Sequence, residues 1–301
     1  MVRSLKPEWL RRSAPDSVAL AKMKELMDNL QLHTVCESAH CPNQGECSSR
    51  GVATFMILGG ICTRNCTFCA VDYGHPATPD TNEPEHIVEA AKKLELRHVV
   101  ITSVTRDDLP DGGAYQFAKV IKAIHSYDPG ITTEVLIPDF QGSISALSVV
   151  AASHPAIINH NVETVPRLCP QIRSQAGYKR SLRLLKNVKF IARELFTKSG
   201  LMLGLGEKRE EIIQVMENLR EVDCDFLTIG QYLRPSINHH QMVRFVSPME
   251  FEEYKHIGVA MDFRGVASAP LVRSSFQADK MLKQSAVPRV ILGVESFSDT
   301  P

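Results

Sequence analysis

The sequence lacks the features that mark nucleic-acid and membrane-surface proteins. Its 301 residues contain 34 basic and 34 acidic side chains, so the formal net charge is zero and no global field favours polyanions or anionic membranes. One tryptophan and an aromatic content of 6% leave little material for stacking nucleic-acid bases. We therefore expect no nucleic-acid partner.

Long apolar runs are also missing. The N-terminal stretch MVRSLKPEWLRRSAPDS has no apolar core of a signal peptide, and no segment approaches the roughly 18 apolar residues of a membrane-spanning helix. We expect no membrane association and a cytoplasmic location. In that compartment thiols stay reduced, and clustered cysteines bind metal more often than they form disulfides.

Candidate strands and helices alternate after residue 54. Near-continuous apolar runs, typical of strands covered on both faces, occur at 55–60, 98–104, 132–140, 157–162, 199–206 and 226–232. Amphipathic or capped segments predict helices at 84–97, 112–127, 144–154, 181–196, 207–223 and 248–263. Six βα units in a row predict a parallel sheet, either open and doubly wound or curled into a barrel.

A dinucleotide-binding glycine fingerprint is absent after the first strand, which favours an α/β fold of the partial (β/α)6 barrel type. Barrel enzymes carry their reactive residues at the C-terminal ends of the strands. We divide the chain into an N-terminal extension (1–53), a barrel (54–265) and a C-terminal extension (266–301). The tail after residue 277 is predicted to begin as a helix.

Six of the eight cysteines form two triads. The first triad lies in CESAHCPNQGEC and comprises Cys36, Cys41 and Cys47. The second triad follows the strand FMILGG and comprises Cys62, Cys66 and Cys69. Zinc motifs usually pair two halves with two ligands each, whereas three thiolates leave one iron of a [4Fe–4S] cluster open for chemistry. The second triad therefore predicts such a cluster at the C-terminal end of the first barrel strand.

The CxxxCxxC spacing of the second triad resembles the radical S-adenosylmethionine superfamily, and further segments resemble one family within it. These segments are similar to the lipoyl synthase family: KPEWLRR, CPNQGEC, TSVTRDDLPDGGA, EVLIPDF, HNVETVPRL, TKSGLMLGLGE, TIGQYLRPS and LVRSSF. The resemblance extends from about residue 6 to residue 280. The departures at Ser48, Gly60 and Phe276 remove no ligand.

The resemblance implies a radical enzyme with S-adenosylmethionine as cofactor. In this family the open iron of the second-triad cluster binds the amino and carboxylate groups of S-adenosylmethionine, whose cleavage gives a 5′-deoxyadenosyl radical. Two sulfur atoms are then inserted at C6 and C8 of an octanoyl chain. That chain is amide-linked to a lysine of a lipoyl carrier protein or domain, such as an E2 subunit or the H protein of glycine cleavage.

The resemblance also implies a second [4Fe–4S] cluster on the first triad, which is consumed as the sulfur donor. Its fourth ligand would be a serine of the Arg273-Ser274-Ser275-Phe276 motif, and we choose Ser275 with Ser274 as the alternative. An oxygen ligand suits a cluster that is given up, because oxygen matches iron–sulfide less well than a thiolate does. We further expect a ferredoxin- or flavodoxin-type electron donor and an iron–sulfur carrier that rebuilds the cluster.

Polar residues at or after the strand ends are candidates for binding S-adenosylmethionine. They are Ser103, Arg106, Asp107, Glu134, Asn161 and Glu163. The alternative role for each is to cap a helix or to pair with a charged neighbour. The segment 204–207, Gln231 and His240 are weaker candidates of the same kind.

Two other functions stay open on the sequence alone. One is a radical enzyme that inserts sulfur into a different substrate or uses its auxiliary cluster in another way. The other is a zinc-stabilised scaffold without catalysis. Mass spectrometry of an octanoylated carrier, which looks for two added sulfur atoms, distinguishes the reaction implied by the resemblance from the first alternative. A colourless, zinc-loaded protein would favour the second.

Overall fold

A computed structural model describes residues 6–11, 17–39, 41–49, 54–275, 278, 281 and 282. Its strands are β1 (His33–Thr34), β2 (Thr54–Ile57), β3 (Ile61–Cys62), β4 (Asp72–Tyr73), β5 (His98–Ser103), β6 (Thr132–Leu136), β7 (Ile157–Asn159), β8 (Phe196–Leu203), β9 (Phe226–Gln231) and β10 (Gly265–Ser268). Its helices are α1 (Ser17–Asn29), α2 (Val35–Ser38), α3 (Gln44–Ser49), α4 (Glu83–Lys93), α5 (Ala114–Tyr127), α6 (Ile144–Ala151), α7 (Cys169–Ile172), α8 (Tyr178–Ile191), α9 (Arg209–Glu221) and α10 (Pro248–Ala260).

The main sheet has eight strands in the order β1-β2-β5-β6-β7-β8-β9-β10, and β3 pairs with β4 apart from it. Strand β1 pairs antiparallel with β2, and the pairings from β2 through β10 are parallel. Within the described ranges the two ends of the sheet do not pair with each other. This arrangement confirms the predicted α/β fold with a parallel sheet, and it agrees with a barrel that is not closed.

The six predicted strands correspond to β2 and β5 through β9, and each predicted helix corresponds to a helix that follows one of them. The structure adds β10, a seventh parallel strand, and the short β1. The predicted start of α10 is confirmed in detail. Ser247 Oγ accepts a hydrogen bond of 3.2 Å from the Glu250 backbone, and Glu250 Oε2 accepts one of 3.1 Å from the Ser247 backbone. The division into three parts at residues 53 and 265 stays a prediction.

The side chains at the lower end of the sheet, where the parallel strands begin, form an apolar layer. Ile157, Phe196 and Phe226 pack there with Met281 from the C-terminal segment. Residues 278, 281 and 282 are helical, as predicted for the tail, and the rest of that tail lies outside the described residues. These apolar side chains lie at the lower end of β7, β8 and β9, and the second triad lies at the opposite end of the sheet, in the loop after β2.

No helix within the described ranges combines the length and the apolar character needed to cross a bilayer.

Candidate functional site

The second triad lies in the loop after β2, at the C-terminal end of the sheet. Cys62 Sγ accepts hydrogen bonds from the backbone N–H groups of Arg64, at 3.4 Å, and of Thr105, at 3.3 Å. The Cys69 backbone N–H donates to the Cys66 carbonyl at 3.1 Å. Because Thr105 belongs to the loop after β5, the second triad is fixed to the neighbouring strand as well as to its own.

Two further loops hold the second triad from the other side. Thr67 N–H donates to the Ile172 carbonyl at 3.1 Å, and His240 N–H donates to the Thr67 carbonyl at 2.7 Å. The Nε2 atom of His239 lies 2.9 Å from the Cys69 carbonyl. The loops after β5, β7 and β9 thus determine the conformation of the cysteine loop together.

A buried ion network fastens this loop to the sheet. The Arg64 guanidinium donates to both carboxylate oxygens of Asp107, at 2.6 and 2.8 Å, and to Asp139 at 2.7 Å. Arg180 donates to the other oxygen of Asp139 at 2.9 Å. Burial raises the pKa of the Asp139 carboxyl, but the hydrogen bonds and charge of Arg64 outweigh it and lower that pKa to about 2. The network therefore keeps its charges near neutral pH.

The second-triad thiols are close enough to influence one another electrostatically, and Glu163 acts on two of them. Burial raises the pKa of the Cys66 thiol to about 11, with the charge of Arg173 acting against it. Burial likewise raises the pKa of Cys69 to about 12. The metal-free thiols of Cys66 and Cys69 are therefore protonated near neutral pH, and metal binding must release those protons.

Three of the predicted cofactor-binding residues, Ser103, Asn161 and Glu163, lie at the end of β5 or in the loop after β7. Asn161 Nδ2 donates to Glu163 Oε1 at 3.0 Å. The buried atoms Asn161 Oδ1 and Ser103 Oγ have no hydrogen-bond partner within the described part of the chain. Buried polar groups are normally satisfied, so each of these two atoms is available to hydrogen-bond a polar ligand.

The other three predicted cofactor-binding residues are engaged with protein groups. Arg106 forms a bidentate pair with Asp108, with contacts of 2.8 to 3.2 Å, and also donates to the Leu58 carbonyl. Both oxygens of Asp107 bind Arg64. Glu134 is fully buried and accepts from Lys198 Nζ at 2.9 Å. In this structure these side chains hold the loops and the interior of the sheet, and their role as cofactor ligands stays a prediction.

The first triad lies on α2, α3 and the turn between them. Cys41 N–H donates to the Cys36 carbonyl, and Cys47 N–H donates to the Asn43 carbonyl, both at 2.9 Å. Burial, followed by the charge of the nearby Cys41, raises the pKa of the Cys36 thiol to about 11. The local backbone therefore turns the first-triad segment back on itself.

The C-terminal LVRSSF segment meets the first triad across the mouth of the sheet. The buried Asn43 side chain donates from Nδ2 to the Leu271 carbonyl at 2.7 Å, over 228 residues of sequence. The Arg273 guanidinium lies close enough to Cys41 for a direct electrostatic interaction. Asn43 Oδ1 is buried without a hydrogen-bond partner among the described residues. The segment with the predicted serine ligand is therefore beside the first triad.

The two serines of that segment have different surroundings. Ser274 Oγ accepts a hydrogen bond of 2.7 Å from Asn161 Nδ2. For Ser275 Oγ the described residues supply no hydrogen bond. The backbone of the segment lies directly over the end of β9, because a Cβ atom added to Gly230 would lie 2.1 Å from the Val272 carbonyl oxygen. Phe276 lies outside the described residues.

Among the described residues, no group of three or more His, Cys, Asp and Glu side chains is arranged as a single metal ion requires. All eight cysteines are described, and none is joined in a disulfide. A cubane spreads its thiolates over several irons instead of gathering them around one point. The thiolate donor set of each triad matches iron–sulfide chemically.

The weaker sequence candidates form structural contacts. Gln231 Nε2 donates to three backbone carbonyls and its Oε1 accepts from Val246 N–H, while Glu207 accepts from the backbone of Gly204 and Leu205. The imidazole that contacts the second triad belongs to His239, the neighbour of the predicted His240. Sequence reasoning also missed Arg64 and Arg173. Arg64 stands between two ligands of the second triad, and that position was the available signal.

Comparison with known proteins shows to which superfamily this chain belongs. The sequence model of the radical SAM superfamily matches residues 56–219. Among solved structures, the chain resembles HydG, a maturase of the [FeFe]-hydrogenase, with a TM-score of 0.56 and 13% identity over 90% of this chain and 67% of that chain. It also resembles Streptococcus suis SuiB bound to precursor peptide SuiA, with a TM-score of 0.55 and 14% identity over 72% of this chain and 49% of that chain. These two likenesses show the fold, and the chain belongs to the radical SAM superfamily.

Curated relatives identify the family. A lipoyl synthase of Caldanaerobacter subterraneus subsp. tengcongensis is 56% identical over 274 residues, which cover 91% of this chain and 96% of that protein. A lipoyl synthase of Caldicellulosiruptor saccharolyticus is 51% identical over 283 residues, 94% of this chain and 99% of that protein. The chain is a member of the lipoyl synthase family. It is a sulfur-inserting radical enzyme that uses a [4Fe–4S] cluster and S-adenosylmethionine and acts on an octanoylated carrier protein.

Proposed function

We propose that the chain inserts two sulfur atoms, at C6 and C8, into an octanoyl group carried on a lysine of an E2 subunit or an H protein. The sulfur comes from a second [4Fe–4S] cluster bound by Cys36, Cys41, Cys47 and Ser275. One observation carries this proposal, the hydrogen bond of 2.7 Å from Asn43 Nδ2 to the Leu271 carbonyl. It supports a site with ligands from both ends of the chain.

In this proposal Cys62, Cys66 and Cys69 hold the cluster that binds S-adenosylmethionine. When bound, the pair supplies a 5′-deoxyadenosyl radical that abstracts hydrogen from the octanoyl chain. The unpartnered Asn161 Oδ1 and Ser103 Oγ are suited to accept hydrogen bonds from the amino group of the cofactor. The nearby Arg173 offsets negative charge at the thiolates, because its charge lowers the pKa of Cys66 against the effect of burial.

Apolar packing and the C-terminal segment cover parts of the two ends of the sheet. Side chains around Phe226 and Met281 pack at the lower end, and LVRSSF lies over Gly230 at the upper end. Exclusion of water protects a reactive radical from side reactions. The protein thus binds, orients and shields, while the bound groups supply the radical chemistry.

At the first-triad site, the donor set favours Ser275 over Ser274 as the fourth ligand. Ser274 Oγ is held by Asn161, whereas Ser275 Oγ has no hydrogen bond to the described residues. A ligand set of three thiolates and one oxygen binds less firmly than four thiolates, which suits a cluster that is consumed.

The test is iron content combined with product analysis. Anaerobically reconstituted protein should hold about eight iron per chain, as two cubanes require, and a variant with the first triad changed to alanine about four. Mass spectrometry of an octanoylated carrier should show two added sulfur atoms with the intact protein and none with the variant. About four iron in the intact protein, or sulfur insertion by the variant, would refute the two-cluster proposal.

The proposal includes three further expectations that follow from the chemistry. A ferredoxin- or flavodoxin-type protein delivers the electron, an iron–sulfur carrier rebuilds the first-triad cluster, and the protein works in the cytoplasm. Their support is the reduced state that six clustered thiols require. A pull-down of the tagged protein from an anaerobic lysate of its own organism, before and after turnover, tests for binding of the iron–sulfur carrier. Association that does not increase after turnover would contradict it.

A further inference from the structure

Helix α8 exposes a row of cations that the proposed chemistry does not use. The row comprises Lys179, Arg183, Lys186 and, just beyond the last turn, Arg193. Spacings of three, four and seven residues place side chains on one face of a helix. No ion pair joins these four side chains to another described residue. The opposite face of α8 is buried through Leu184, Leu185 and Val188.

An aromatic side chain lies on the same face as these cations. Phe190 is 90% exposed, the largest exposed fraction of any large apolar side chain in the described residues. An exposed aromatic ring on the same face as two arginines, Arg183 and Arg193, is typical of protein interfaces, where aromatics and arginine are enriched. The row is therefore more than a solvated helix face.

The neighbouring helix α6 extends this surface. It packs against α8, and its sequence ISALSVVA contains no charged residue. Ile144, at its first position, is 58% exposed. We call the two faces together the α6–α8 surface and define it by Ile144, Lys179, Arg183, Lys186, Phe190 and Arg193. Neither helix carries an acidic side chain. At the lower end, however, Lys186, Phe190 and Arg193 line a cavity together with Glu221, Asp223, Asp225 and Asp262, so the cationic excess is clearest at the upper end, at Lys179 and Arg183.

The α6–α8 surface begins beside the second triad. Helix α8 follows the segment whose Gln175 side chain accepts a hydrogen bond of 3.0 Å from Asn65, inside the cysteine loop. In its first turn, Arg180 binds Asp139, the carboxylate that also holds Arg64. Fourteen residues of helix extend about 21 Å. The surface therefore extends from the edge of the site away along the outside of the molecule.

We propose that the α6–α8 surface docks the octanoylated carrier protein through an acidic face around its modified lysine. This inference rests on the proposed function, because the acyl group must enter the site from a carrier held nearby. A lysine side chain with an octanoyl group reaches about 15 Å at roughly 1.25 Å per bond. The body of the carrier must therefore lie at the edge of the site. A domain of about 100 residues, with a radius of gyration of about 13 Å, covers much of α8 from there.

Charge complementarity selects the partner. The whole chain has no net charge. The excess of cations on α8 is therefore local and does not reflect a basic protein overall. Opposite charges across an interface speed association and fix orientation. Ile144, at the start of α6, and Phe190, near the end of α8, are exposed apolar side chains that a protein partner can cover and a phosphate backbone does not.

The test compares two substrates of the full, cluster-loaded enzyme. One is the octanoylated carrier, and the other is a short peptide with an octanoylated lysine, which lacks the docking face. The double variant Lys179→Glu, Arg183→Glu and the variant Phe190→Ser change the surface. Lys122→Glu is the matched control, because Lys122 is an exposed cation on α5, outside the α6–α8 surface. Because the first-triad cluster is consumed, single-turnover rates are measured over a range of substrate concentrations, at low and at high salt. Here kcat means the limiting single-turnover rate, and KM means the substrate concentration that gives half of it.

We expect the double variant to raise KM for the carrier about tenfold and to leave kcat within about twofold, as for loss of electrostatic docking. Phe190→Ser should raise that KM too, and the control should not. Kinetics on the peptide should be unchanged in every variant. Salt should raise the carrier KM of the unaltered enzyme and have little effect on the double variant.

Several results would overturn the proposal. A carrier KM that is unchanged in both surface variants would do so, and so would an equal loss of activity on the peptide. Tighter binding of a random RNA than of the carrier, lost in the same variants, would assign the surface to nucleic acid. If the unaltered enzyme converts neither substrate, the proposed function fails. Direct binding of the carrier, weakened about tenfold by the double variant, would then still support docking, and unweakened binding would refute it.

Discussion

Asn161 Nδ2 donates a hydrogen bond of 2.7 Å to Ser274 Oγ, across 113 residues of sequence. The same nitrogen lies 3.0 Å from Glu163, whose charge acts on Cys66 and Cys69. This contact joins the C-terminal segment to the surroundings of the second triad. It is also the reason that we propose Ser275, and not Ser274, as the fourth ligand of the first-triad cluster.

We predict that Ser275→Ala and Ser274→Ala have different effects. Ser275→Ala should abolish sulfur insertion and lose iron from the first-triad site while S-adenosylmethionine cleavage persists. Ser274→Ala should keep about eight iron per chain and weaken S-adenosylmethionine binding, because Asn161 loses its acceptor. Iron analysis, cleavage assays and equilibrium binding measure the two variants. Loss of cleavage in Ser275→Ala would show that the serine assignment is wrong.

Two glycines provide a matched pair of steric variants. A Cβ atom at Gly230 would lie 2.1 Å from the Val272 carbonyl, and one at Gly200 would lie 2.6 Å from Asn161 Oδ1. Gly230→Ala should displace the LVRSSF segment and lower iron at the first-triad site. Gly200→Ala should instead weaken S-adenosylmethionine binding about tenfold or more, as loss of a buried hydrogen bond implies. The same defect in both variants would contradict this separation of the two sites.

The Arg64 network should dominate the stability of the upper end of the sheet. Arg64→Gln leaves the buried Asp139 carboxylate with Arg180 as its remaining ionic partner. Removing one partner from a buried ion network costs about 3 to 5 kcal/mol in the free energy of unfolding. Arg209→Gln, which breaks the exposed pair with Glu253, should cost about 1 kcal/mol or less. Urea unfolding of cluster-free protein at neutral pH measures the loss of unfolding free energy in both variants. Equal losses would contradict a dominant role of the Arg64 network in stability.

The buried His160 should make the protein sensitive to mild acid. Burial, followed by the charge of Arg173, lowers its pKa from 6.5 to about 4. The unfolded chain therefore takes up a proton before the folded one does. The stability that neutral His160 contributes is complete above pH 6.5 and is lost as the pH falls towards 4.

From pH 7 to pH 5 this linkage removes about 2 kcal/mol of unfolding free energy. His160→Gln should lower stability at pH 7, because the imidazole contacts the Ile137 carbonyl and Ser181 Oγ. Its unfolding free energy should nevertheless fall less steeply between pH 7 and pH 5 than that of the unaltered protein. Urea unfolding of the two cluster-free proteins at both pH values measures the slopes, and equal slopes would contradict the shifted pKa.

The sequence predicted features that depend on local patterns. Apolar runs located β2 and β5 through β9, and the spacing of the second triad predicted a cluster in the loop after β2. Strand β10 was missed because GVAS contains small residues and no long apolar run. The neighbouring His239 and His240 could not be distinguished, because loop residues have no periodicity to indicate which side chain turns inward.

Long-range contacts explain which features of the site the sequence could not predict. Nothing in the spacing of CPNQGEC shows that Asn43 reaches Leu271, and only the family resemblance connected the two segments before the structure did. Arg106 and Asp107 stand at a strand end, where cofactor ligands occur, yet their charges are matched by Asp108 and Arg64. A sequence shows which residues can carry charge, and the fold decides which charges are already paired.

The most direct test of the central claim follows isotopic sulfur. The protein is reconstituted with ³⁴S-sulfide, freed of unbound sulfide, and given excess octanoylated carrier and S-adenosylmethionine. We predict about one lipoyl group per chain with both sulfur atoms labelled. About four iron should remain at the second triad, as one intact cubane requires. Unlabelled sulfur in the product, or several products per chain with both clusters intact, would contradict a sulfur donor at Cys36, Cys41, Cys47 and Ser275.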